Sequence, residues 1–295
     1  MKAVAFTEYG GPEVLQVMEL DDPHPGPGQV RVRVKAAGVQ PFDAGVRSGW
    51  EPPGIELKWP RVPGNEFAGI IDEVGDGAEG LGQEVLGFTA VQAYAEYVVV
   101  PAANVTPKPP DMPWEVAGGF TAGTQTAALA MENLDVKAGE TVLIHAAAGS
   151  VGTAAVQLAV LRGAKVIGTA SEANQDYVRE LGATPIVYGE GLKERIQKAA
   201  PHIDAVLDGA GGEALTISLE LVKDRVLTLV DHGREGAQVI QGERKAERLA
   251  DLAALYAKGD LRFHIRRAYP YTEAAEAHRE IDTRHGRGKI VITFS

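Results

Sequence analysis

Residues 146–152 read Ala-Ala-Ala-Gly-Ser-Val-Gly and are separated by one residue, His145, from the short apolar run Thr141–Ile144. Apolar residues at helical spacing begin at Val151, so the small residues occupy a turn between a strand and a helix. Small residues at such a turn let the backbone approach a pyrophosphate, which the helix N-terminus attracts through its free N–H groups and its dipole. The spacing therefore predicts a dinucleotide site, although tight packing of helix on strand alone would select the same residues. The residues predicted to contact the pyrophosphate are Gly149, Ser150, Val151 and Gly152.

The next apolar run, Lys165–Thr169, indicates which dinucleotide to expect. In NAD-binding versions of this unit, the second strand ends in an acid that binds the ribose hydroxyls. Here Ala170 and Ser171 follow the strand, and a small hydroxyl residue leaves room for a 2′-phosphate. NADPH is therefore the predicted cofactor, with Ser171 and Asn174 at its adenosine ribose phosphate. NADH remains an alternative because of Glu172. This residue is either the ribose-binding acid displaced by one position or a solvated residue of the next helix.

The composition argues against several other kinds of site. The chain has no cysteine, which removes disulfides and thiolate-bound zinc and fits a reducing compartment, so we expect a cytoplasmic protein. Its seven histidines include no i, i+4 pair, so no metal site is predicted. With 40 acidic and 29 basic side chains, the net charge of −11 disfavours nucleic acid as a partner. The sequence contains no apolar run of about 18 residues, so we predict no membrane span.

The elements that must position the turn follow two patterns. Before Pro113, segments such as Val30–Val34 alternate apolar and charged side chains between Pro- and Gly-rich intervals, which predicts a compact antiparallel unit. After Pro113, apolar runs alternate with helical spacing, which predicts a parallel sheet with helices on both faces. An amphipathic helix is predicted over 243–258, ended by Gly259, and a last helix over 272–281. The predicted fold class is α/β, a β-rich domain joined to a doubly wound parallel sheet.

Several separated segments carry a family resemblance. They are 38–43 (Gly-Val-Gln-Pro-Phe-Asp), 62–69 (Val-Pro-Gly-Asn-Glu-Phe-Ala-Gly), 93–101, 136–152, 274–278 and 286–289. In this order they resemble the zinc-independent, zeta-crystallin-like quinone oxidoreductases of the medium-chain dehydrogenase/reductase superfamily. The resemblance covers essentially the whole chain, and the number of separate motifs makes it specific.

The resemblance implies both an architecture and an activity. It implies a GroES-like catalytic domain over 1–112, completed by 260–295, and a Rossmann dinucleotide-binding domain over 113–259. It also implies NADPH in the cleft between them, zinc-free reduction of quinones or α,β-unsaturated carbonyls, and a homodimer. The chain is shorter than typical members after Asp231, and residues 234–242 replace a strand that often lies at the dimer seam, which weakens the expectation of a dimer.

The resemblance also nominates site residues outside the turn. Asn65 stands where zinc-dependent relatives have the His of a Gly-His-Glu motif, which supports a zinc-free site. The candidate donors or orienting groups for the acceptor's carbonyl oxygen are Gln40, where the family usually has Asn, Tyr94 and Thr124. The alternative role for Tyr94 is that of an aromatic packed in a strand with its hydroxyl at the surface. Further cofactor contacts are expected at Asp43, Ala210, Arg287 and Lys289, and a solvated basic turn is the alternative for the last two.

Two alternatives to quinone or enone reduction remain open on the sequence. An enoyl reductase, or a related tailoring reductase of a biosynthetic pathway, would use the same fold and the same motifs. A non-catalytic NADPH-binding redox sensor would need only the dinucleotide turn. The substitution at Gln40 and the shortened region after Asp231 are compatible with such a sensor.

Overall fold

The computed structural model describes residues 1–52, 54 and 58–294. They form two compact units, the first comprising Met1–Ala122, Arg244–Ala257 and His264–Ser295, the second Gly123–Glu243 and Lys258–Phe263. The domain limits expected from the sequence, 1–112 with 260–295 and 113–259, stay a prediction.

The strands are β1 (Lys2–Ala5), β2 (Gln16–Glu19), β3 (Gln29–Val39), β4 (Glu66–Val74), β5 (Glu84–Phe88), β6 (Tyr97–Pro101), β7 (Val105–Pro107), β8 (Thr141–Ile144), β9 (Lys165–Ala170), β10 (Thr184–Val187), β11 (Ala205–Asp208), β12 (Val226–Thr228), β13 (Gln238–Val239), β14 (Ile265–Pro270) and β15 (Lys289–Thr293). The α-helices are α1 (Pro41–Arg47), α2 (Trp114–Asn133), α3 (Ser150–Leu161), α4 (Gln175–Glu180), α5 (Leu192–Ala199), α6 (Gly212–Leu221), α7 (Ala246–Lys258) and α8 (Ala274–Asp282).

In the first unit, the long strand β3 organises a mostly antiparallel sheet. The strand order is β14-β15-β3-β4-β5-β7, and β6 also pairs with β3, whereas β1 and β2 form a separate pair. Val30, Val32 and Val34 of β3 are buried, while Arg31 and Arg33 between them are more exposed, because successive side chains of a strand point to opposite faces. The alternation predicted for this segment is thereby confirmed.

Helix α1 begins directly after Gln40 at the end of β3. Pro41 suits the first helical position, where no N–H is required. The side chain of Asp43 accepts a hydrogen bond from the backbone N–H of Gln40 over 3.0 Å, as in a capping box. Val46 of α1 and Ala277 of α8 are buried in the core of this unit. These contacts fix the path of the chain at Gln40.

In the second unit, the parallel sheet has the strand order β10-β9-β8-β11-β12-β13. Numbered within the unit, this is the order 3-2-1-4-5-6 of a doubly wound dinucleotide-binding sheet. The apolar runs that predicted β8, β9 and β11 are buried on both faces, as a parallel sheet covered by helices requires. The predicted α/β class, a β-rich unit and a doubly wound unit, is confirmed.

Other predicted elements lie close to their expected places. Helix α7 ends before Gly259, which has a φ of +82°, and α8 precedes the terminal strand β15. Within the shortened segment 234–242, the two-residue strand β13 pairs with β12. Among the described residues, no helix is both long and apolar enough to cross a bilayer.

Candidate functional site

The predicted dinucleotide turn connects β8 to α3. Ala146, its first residue, has a φ of +56°, a left-handed conformation that glycine adopts most readily. The N–H of Gly149 donates to the carbonyl of Ala146 over 3.0 Å, and the N–H of Thr153 donates to the carbonyl of Gly149 over 2.8 Å. Gly149 thus precedes α3 as its N-cap residue. The first N–H groups of α3, at Ser150 and Val151, have no partner within the helix and carry its positive dipole end.

Gly152 allows α3 to lie directly on the turn. A Cβ atom at this position would lie 2.2 Å from the carbonyl oxygen of Ala146 and 2.7 Å from the Cα of Ala147, both of which are backbone atoms. At Gly149, the corresponding Cβ would lie 3.3 Å from the same carbonyl oxygen. The turn therefore packs its helix closely and leaves Gly149, Ser150 and Val151 partly exposed, which fits a pyrophosphate.

The end of β9 carries polar groups but no acid. Ala170 is buried, and the side-chain amide of Asn174 donates to the hydroxyl of Ser171 over 3.0 Å. The amide of Gln175 donates to the carbonyls of Ala170 and Ser171 over 3.1 and 3.0 Å. Glu172 is exposed at the start of the short 3-10 helix that follows. The two residues predicted at the ribose phosphate are therefore in contact with each other.

The loop after β11 is shaped by Asp208, which is fully buried. Its carboxylate accepts hydrogen bonds from the backbone N–H groups of Ala210 (3.0 Å) and Gly211 (2.9 Å) and from the hydroxyl of Thr228 (2.8 Å). Ala210 is thus held at the surface near the carboxyl end of β11, the edge of a doubly wound sheet at which ligands bind.

His145, at the end of β8, is a structural residue. Its two ring nitrogens contact the hydroxyls of Thr169 and Ser218 over 2.9 and 3.1 Å. Burial lowers the pKa of His145 to about 4, while the negative charge of Asp208 opposes that shift. The imidazole is therefore neutral at pH 7 and satisfied on both sides.

In the first unit, Asp43 connects two loops. Its carboxyl group accepts hydrogen bonds from the N–H groups of Gln40 and Gly64, each over 3.0 Å, and from the hydroxyl of Tyr94 over 3.3 Å. Burial raises the pKa of Asp43 to about 7, although the positive charge of Lys289 and these N–H groups lower it. Asp43 therefore holds Gln40 next to the loop that carries Gly64.

A buried ion pair lies beside Asp43. The ammonium of Lys289, 2% exposed, is 2.5 Å from a carboxylate oxygen of Glu66, which is 0% exposed. The other oxygen of Glu66 accepts from the N–H of Ala122 over 2.6 Å. Lys289 also donates to the side-chain oxygen of Gln40 over 3.1 Å, and the amide nitrogen of Gln40 donates to the side-chain oxygen of Asn65. The amide of Gln40 thus connects the ammonium to the side chain of Asn65.

Tyr94 lies in the interior, where its hydroxyl is a structural contact. It is 0% exposed, and burial raises its pKa well above the usual value. Its hydroxyl contacts the Nε2 of His278 over 3.3 Å, and the Nδ1 of His278 faces the guanidinium of Arg47 over 3.2 Å. Arg47 also forms a 2.9 Å ion pair with Asp282. Burial, followed by the charge of Arg47, lowers the pKa of His278 to about 3, so its ring is neutral at pH 7.

The structure groups the predicted site residues by unit. Arg287 is half-buried two residues before Lys289. Thr124 is fully buried on α2. The ammonium of Lys289, a predicted cofactor contact, pairs with Glu66, because the first side chain of β15 is buried. The first unit contains Gln40, Asp43, Tyr94, Arg287 and Lys289, and the second contains Thr124, Gly149, Ser150, Val151, Gly152, Ser171, Asn174 and Ala210.

No motif indicates the contacts of two polar residues at these sites, Asn65 and Tyr188. The backbone carbonyl of Asn65 accepts a hydrogen bond from the guanidinium of Arg244 over 3.0 Å, although the two residues are 179 positions apart. Tyr188 follows β10, is 49% exposed, and donates its backbone N–H to Ala170 over 3.3 Å. Its place beside the end of β9 follows from the strand order, which the sequence alone does not determine.

Two protein families match the chain. The family described as "Alcohol dehydrogenase GroES-like domain" matches residues 26–110, and the family described as "Zinc-binding dehydrogenase" matches residues 181–292. The GroES-like character predicted for the β-rich unit is thereby confirmed. Within the described part of the chain, no three His, Asp or Glu side chains are grouped so that they could hold a metal ion.

Individual relatives extend this match to the whole chain. The quinone oxidoreductase of Pseudomonas aeruginosa is 30% identical, with 99% of each chain covered. That of Rattus norvegicus is 33% identical over 77% of this chain and 68% of its own. The solved quinone oxidoreductase of Coxiella burnetii superimposes with a TM-score of 0.89 at 28% identity, covering 100% of this chain and 99% of that one. The chain therefore belongs to the quinone oxidoreductases of the medium-chain dehydrogenase/reductase superfamily, oxidoreductases that use a nicotinamide cofactor.

Proposed function

We propose that this protein is a zinc-independent, NADPH-dependent reductase that transfers hydride to a quinone or an α,β-unsaturated carbonyl. The observation that carries the proposal is the turn from β8 to α3, in which Gly152 packs the helix against the backbone of Ala146. Family membership adds the nicotinamide cofactor and the small-molecule acceptor. Reduction of the acceptor then needs a bound dinucleotide and a donor for the oxygen on which charge develops.

The choice of NADPH is supported by the polar pair at the end of β9. The hydroxyl of Ser171 and the amide of Asn174 carry no charge and are partly exposed, so they accommodate a phosphate on the ribose. An acid at Ala170 or Ser171 would repel that phosphate. Glu172 is exposed and starts the following turn, which supports a solvated role for its carboxylate.

The roles of the chain's own residues follow from these contacts. The N–H groups of Ser150, Val151 and Gly152 would bind the pyrophosphate at the N-terminus of α3, with Gly149 beside it. Asp208 shapes the loop of Ala210, which would lie beside the nicotinamide ribose. The bound cofactor supplies the hydride. The reduced acceptor needs hydrogen-bond donors for its oxyanion but no strong acid, since solvent delivers the proton afterwards.

A zinc-free mechanism is supported by the donor set of the first unit. Zinc-dependent relatives have a Cys near Gln40 and a His at Asn65, whereas this chain has no cysteine, and the neutral amides of Gln40 and Asn65 are weak ligands for zinc. The ammonium of Lys289 lies beside Gln40 and would repel a divalent cation. We therefore propose no Lewis-acid step and no alcohol oxidation.

Turnover with a panel of acceptors tests this function. The purified protein is mixed with NADPH and with quinones, enones or an enoyl thioester, with and without a strong chelator, while the absorbance of the reduced nicotinamide is followed. Chelator-resistant consumption with quinones or enones is expected, together with weaker binding of NADH. Consumption with the thioester alone would favour an enoyl reductase, and tight binding without any consumption would favour a sensor.

We also propose a cytoplasmic homodimer. The absence of cysteine is compatible with a reducing compartment. The homodimer rests on the family resemblance, and the two-residue strand β13 is the feature that counts against it. Light scattering coupled to size-exclusion chromatography, at micromolar and millimolar protein concentrations, tests the assembly, and a mass of one chain throughout would overturn it.

A further inference from the structure

The side chain of Lys289 packs against two glycines, Gly38 and Gly119, on its way to Gln40. A Cβ at Gly38 would lie 2.8 Å from the Cε of Lys289 and 2.1 Å from a carboxylate oxygen of Glu66. A Cβ at Gly119 would lie 2.8 Å from the Cγ of Lys289. Two glycines, on β3 and α2, thus leave room for one lysine, so the position of its ammonium is defined by packing as well as by charge.

This ammonium determines the orientation of two amide side chains. An ammonium only donates hydrogen bonds, so the atom of Gln40 that faces Lys289 over 3.1 Å must be its oxygen. The amide nitrogen of Gln40 therefore faces Asn65, and the atom of Asn65 that accepts from it must be the side-chain oxygen Oδ1. The hydrogen bonds run in one direction, from Lys289 through Gln40 to Asn65.

The last donor of this chain of hydrogen bonds is the Nδ2 group of Asn65. No acceptor for it lies within hydrogen-bond distance among residues 1–52, 54 and 58–294, and 4% of the Asn65 surface remains exposed. The backbone of Asn65 is held by Arg244, and the preceding Gly64 by Asp43. A fixed amide with a free donor is the kind of group that stabilises a developing oxyanion.

We propose that Asn65 Nδ2 donates the hydrogen bond to the acceptor's carbonyl oxygen, and that Lys289, acting through Gln40, orients and polarises this donor. The inference rests on the proposed function and deepens it. Asn65 is then a catalytic residue, whereas Gln40 and Lys289 are positioning residues. The ligand class is a conjugated carbonyl whose oxygen becomes negatively charged during reduction.

The chemistry that this donor assists is balanced by the cofactor and the solvent. A hydride from the reduced nicotinamide forms a C–H bond at the β-carbon of an enone, and the nicotinamide is oxidised. The carbon–carbon π bond breaks, a new π bond forms toward the carbonyl carbon, and the electron pair of the C=O π bond moves to the oxygen as an enolate. Solvent then protonates the α-carbon. The hydrogen bond from Asn65 strengthens as negative charge grows on the oxygen. The positive charge of Lys289, at the other end of the series of hydrogen bonds, strengthens it further.

Two substitutions test the proposal through different atoms. Asn65→Ala removes the donor. Gln40→Glu keeps the size and shape of the side chain, but its carboxylate only accepts, so the amide of Asn65 must turn its nitrogen toward the carboxylate and away from the acceptor. Gln16→Glu makes the same change at an exposed position of β2 in the same unit and serves as the matched control.

Three measurements are compared for each variant: kcat and KM with the best acceptor, the Kd for NADPH, and the Kd for 4-nitrophenolate, a stable oxyanion, in the presence of NADP⁺. For Asn65→Ala and Gln40→Glu we expect kcat to fall about 100-fold and the nitrophenolate Kd to rise about tenfold, with an unchanged NADPH Kd. The double variant should be no worse than Asn65→Ala alone, since both changes remove one donor. The Gln16→Glu control should match the wild type.

Each contrary outcome has a definite meaning. Multiplicative losses in the double variant, or a raised Kd for NADPH alone, would overturn the role of Asn65 and indicate a structural or cofactor-binding one. If the wild type is active and Asn65→Ala has the same kcat, Asn65 is not the donor to the carbonyl oxygen, and the proposed function is unaffected. No turnover by the wild type with any acceptor would overturn the proposed function and this role together.

Discussion

Gly152→Ala is expected to weaken both the fold of the second unit and the binding of NADPH. The new Cβ would lie 2.2 Å from the carbonyl oxygen of Ala146, whereas carbon and oxygen ordinarily approach to about 3.3 Å. The first turn of α3 must therefore move by about 1 Å. Overpacking of this kind costs about 1–3 kcal/mol, which exceeds the gain of about 1 kcal/mol that alanine brings over glycine in a helix. We expect a net loss of about 1 kcal/mol in the free energy of unfolding.

The effect on binding should be larger than the effect on stability, because the displaced N–H groups are those that face the pyrophosphate. A misplacement of about 1 Å can cost about 100-fold in a site built on precise geometry. Urea denaturation gives the free energy of unfolding, and titration of cofactor fluorescence gives the Kd for NADPH. Gly149→Ala is the matched control for the unfolding measurement, since its Cβ would lie 3.3 Å from the same oxygen and its φ is −72°. Wild-type values of both quantities in Gly152→Ala would refute the packing argument.

Three further substitutions test other parts of the molecule. Ser171→Asp places an acid at the end of β9 and should raise the Kd for NADPH about tenfold while improving that for NADH, as measured by the same titration; an unchanged ratio of the two would contradict the assignment of this residue. Lys289→Met leaves Glu66 buried without its cation and should lower the free energy of unfolding by about 3–5 kcal/mol in urea, and adding Glu66→Gln should recover most of this loss. The pKa of His278 is lowered in the folded protein from 6.5 to about 3. Between pH 6.5 and pH 3 the unfolded chain therefore binds a proton at this residue and the folded chain does not. The free energy of unfolding then falls as the pH is lowered through this range, by up to about 1.4 kcal/mol per pH unit. His278→Gln should flatten this part of the urea-derived stability curve, and an equally steep curve would count against a neutral, buried imidazole.

The elements that the sequence predicted well depend on local patterns. The alternation of valine and arginine in β3 places one face in the core wherever the strand pairs. The turn at Gly149 is likewise local, because the apolar run of β8 leads directly into the helical spacing of α3. The right-handed sense of the connections between the parallel strands follows from a general rule, whereas the order of those strands does not.

The contacts of the first unit depend on residues far apart in the chain. Lys289 and Gln40 are 249 positions apart, and nothing in the composition around Lys289 distinguishes a buried cation from a solvated one. In the basic segment 284–289, only Lys289 lies within a strand of the sheet. Tyr94 similarly has the sequence context of a strand residue, but its hydroxyl contacts His278 of α8, which is 184 positions away. Such pairings require the sheet order, which brings β15 beside β3.

Labelled cofactor tests whether hydride passes from NADPH to the acceptor without zinc. The purified protein is treated with a strong chelator and mixed, under single-turnover conditions, with a quinone or enone and NADPH that carries deuterium on one or the other face of nicotinamide C4. We expect deuterium on one face to slow the oxidation of NADPH and deuterium on the other face to leave the rate unchanged. Two results would contradict zinc-free hydride transfer from NADPH. One is that no oxidation occurs until zinc is restored. The other is that every labelled form of NADPH is oxidised at the same rate under conditions in which the chemical step limits the rate.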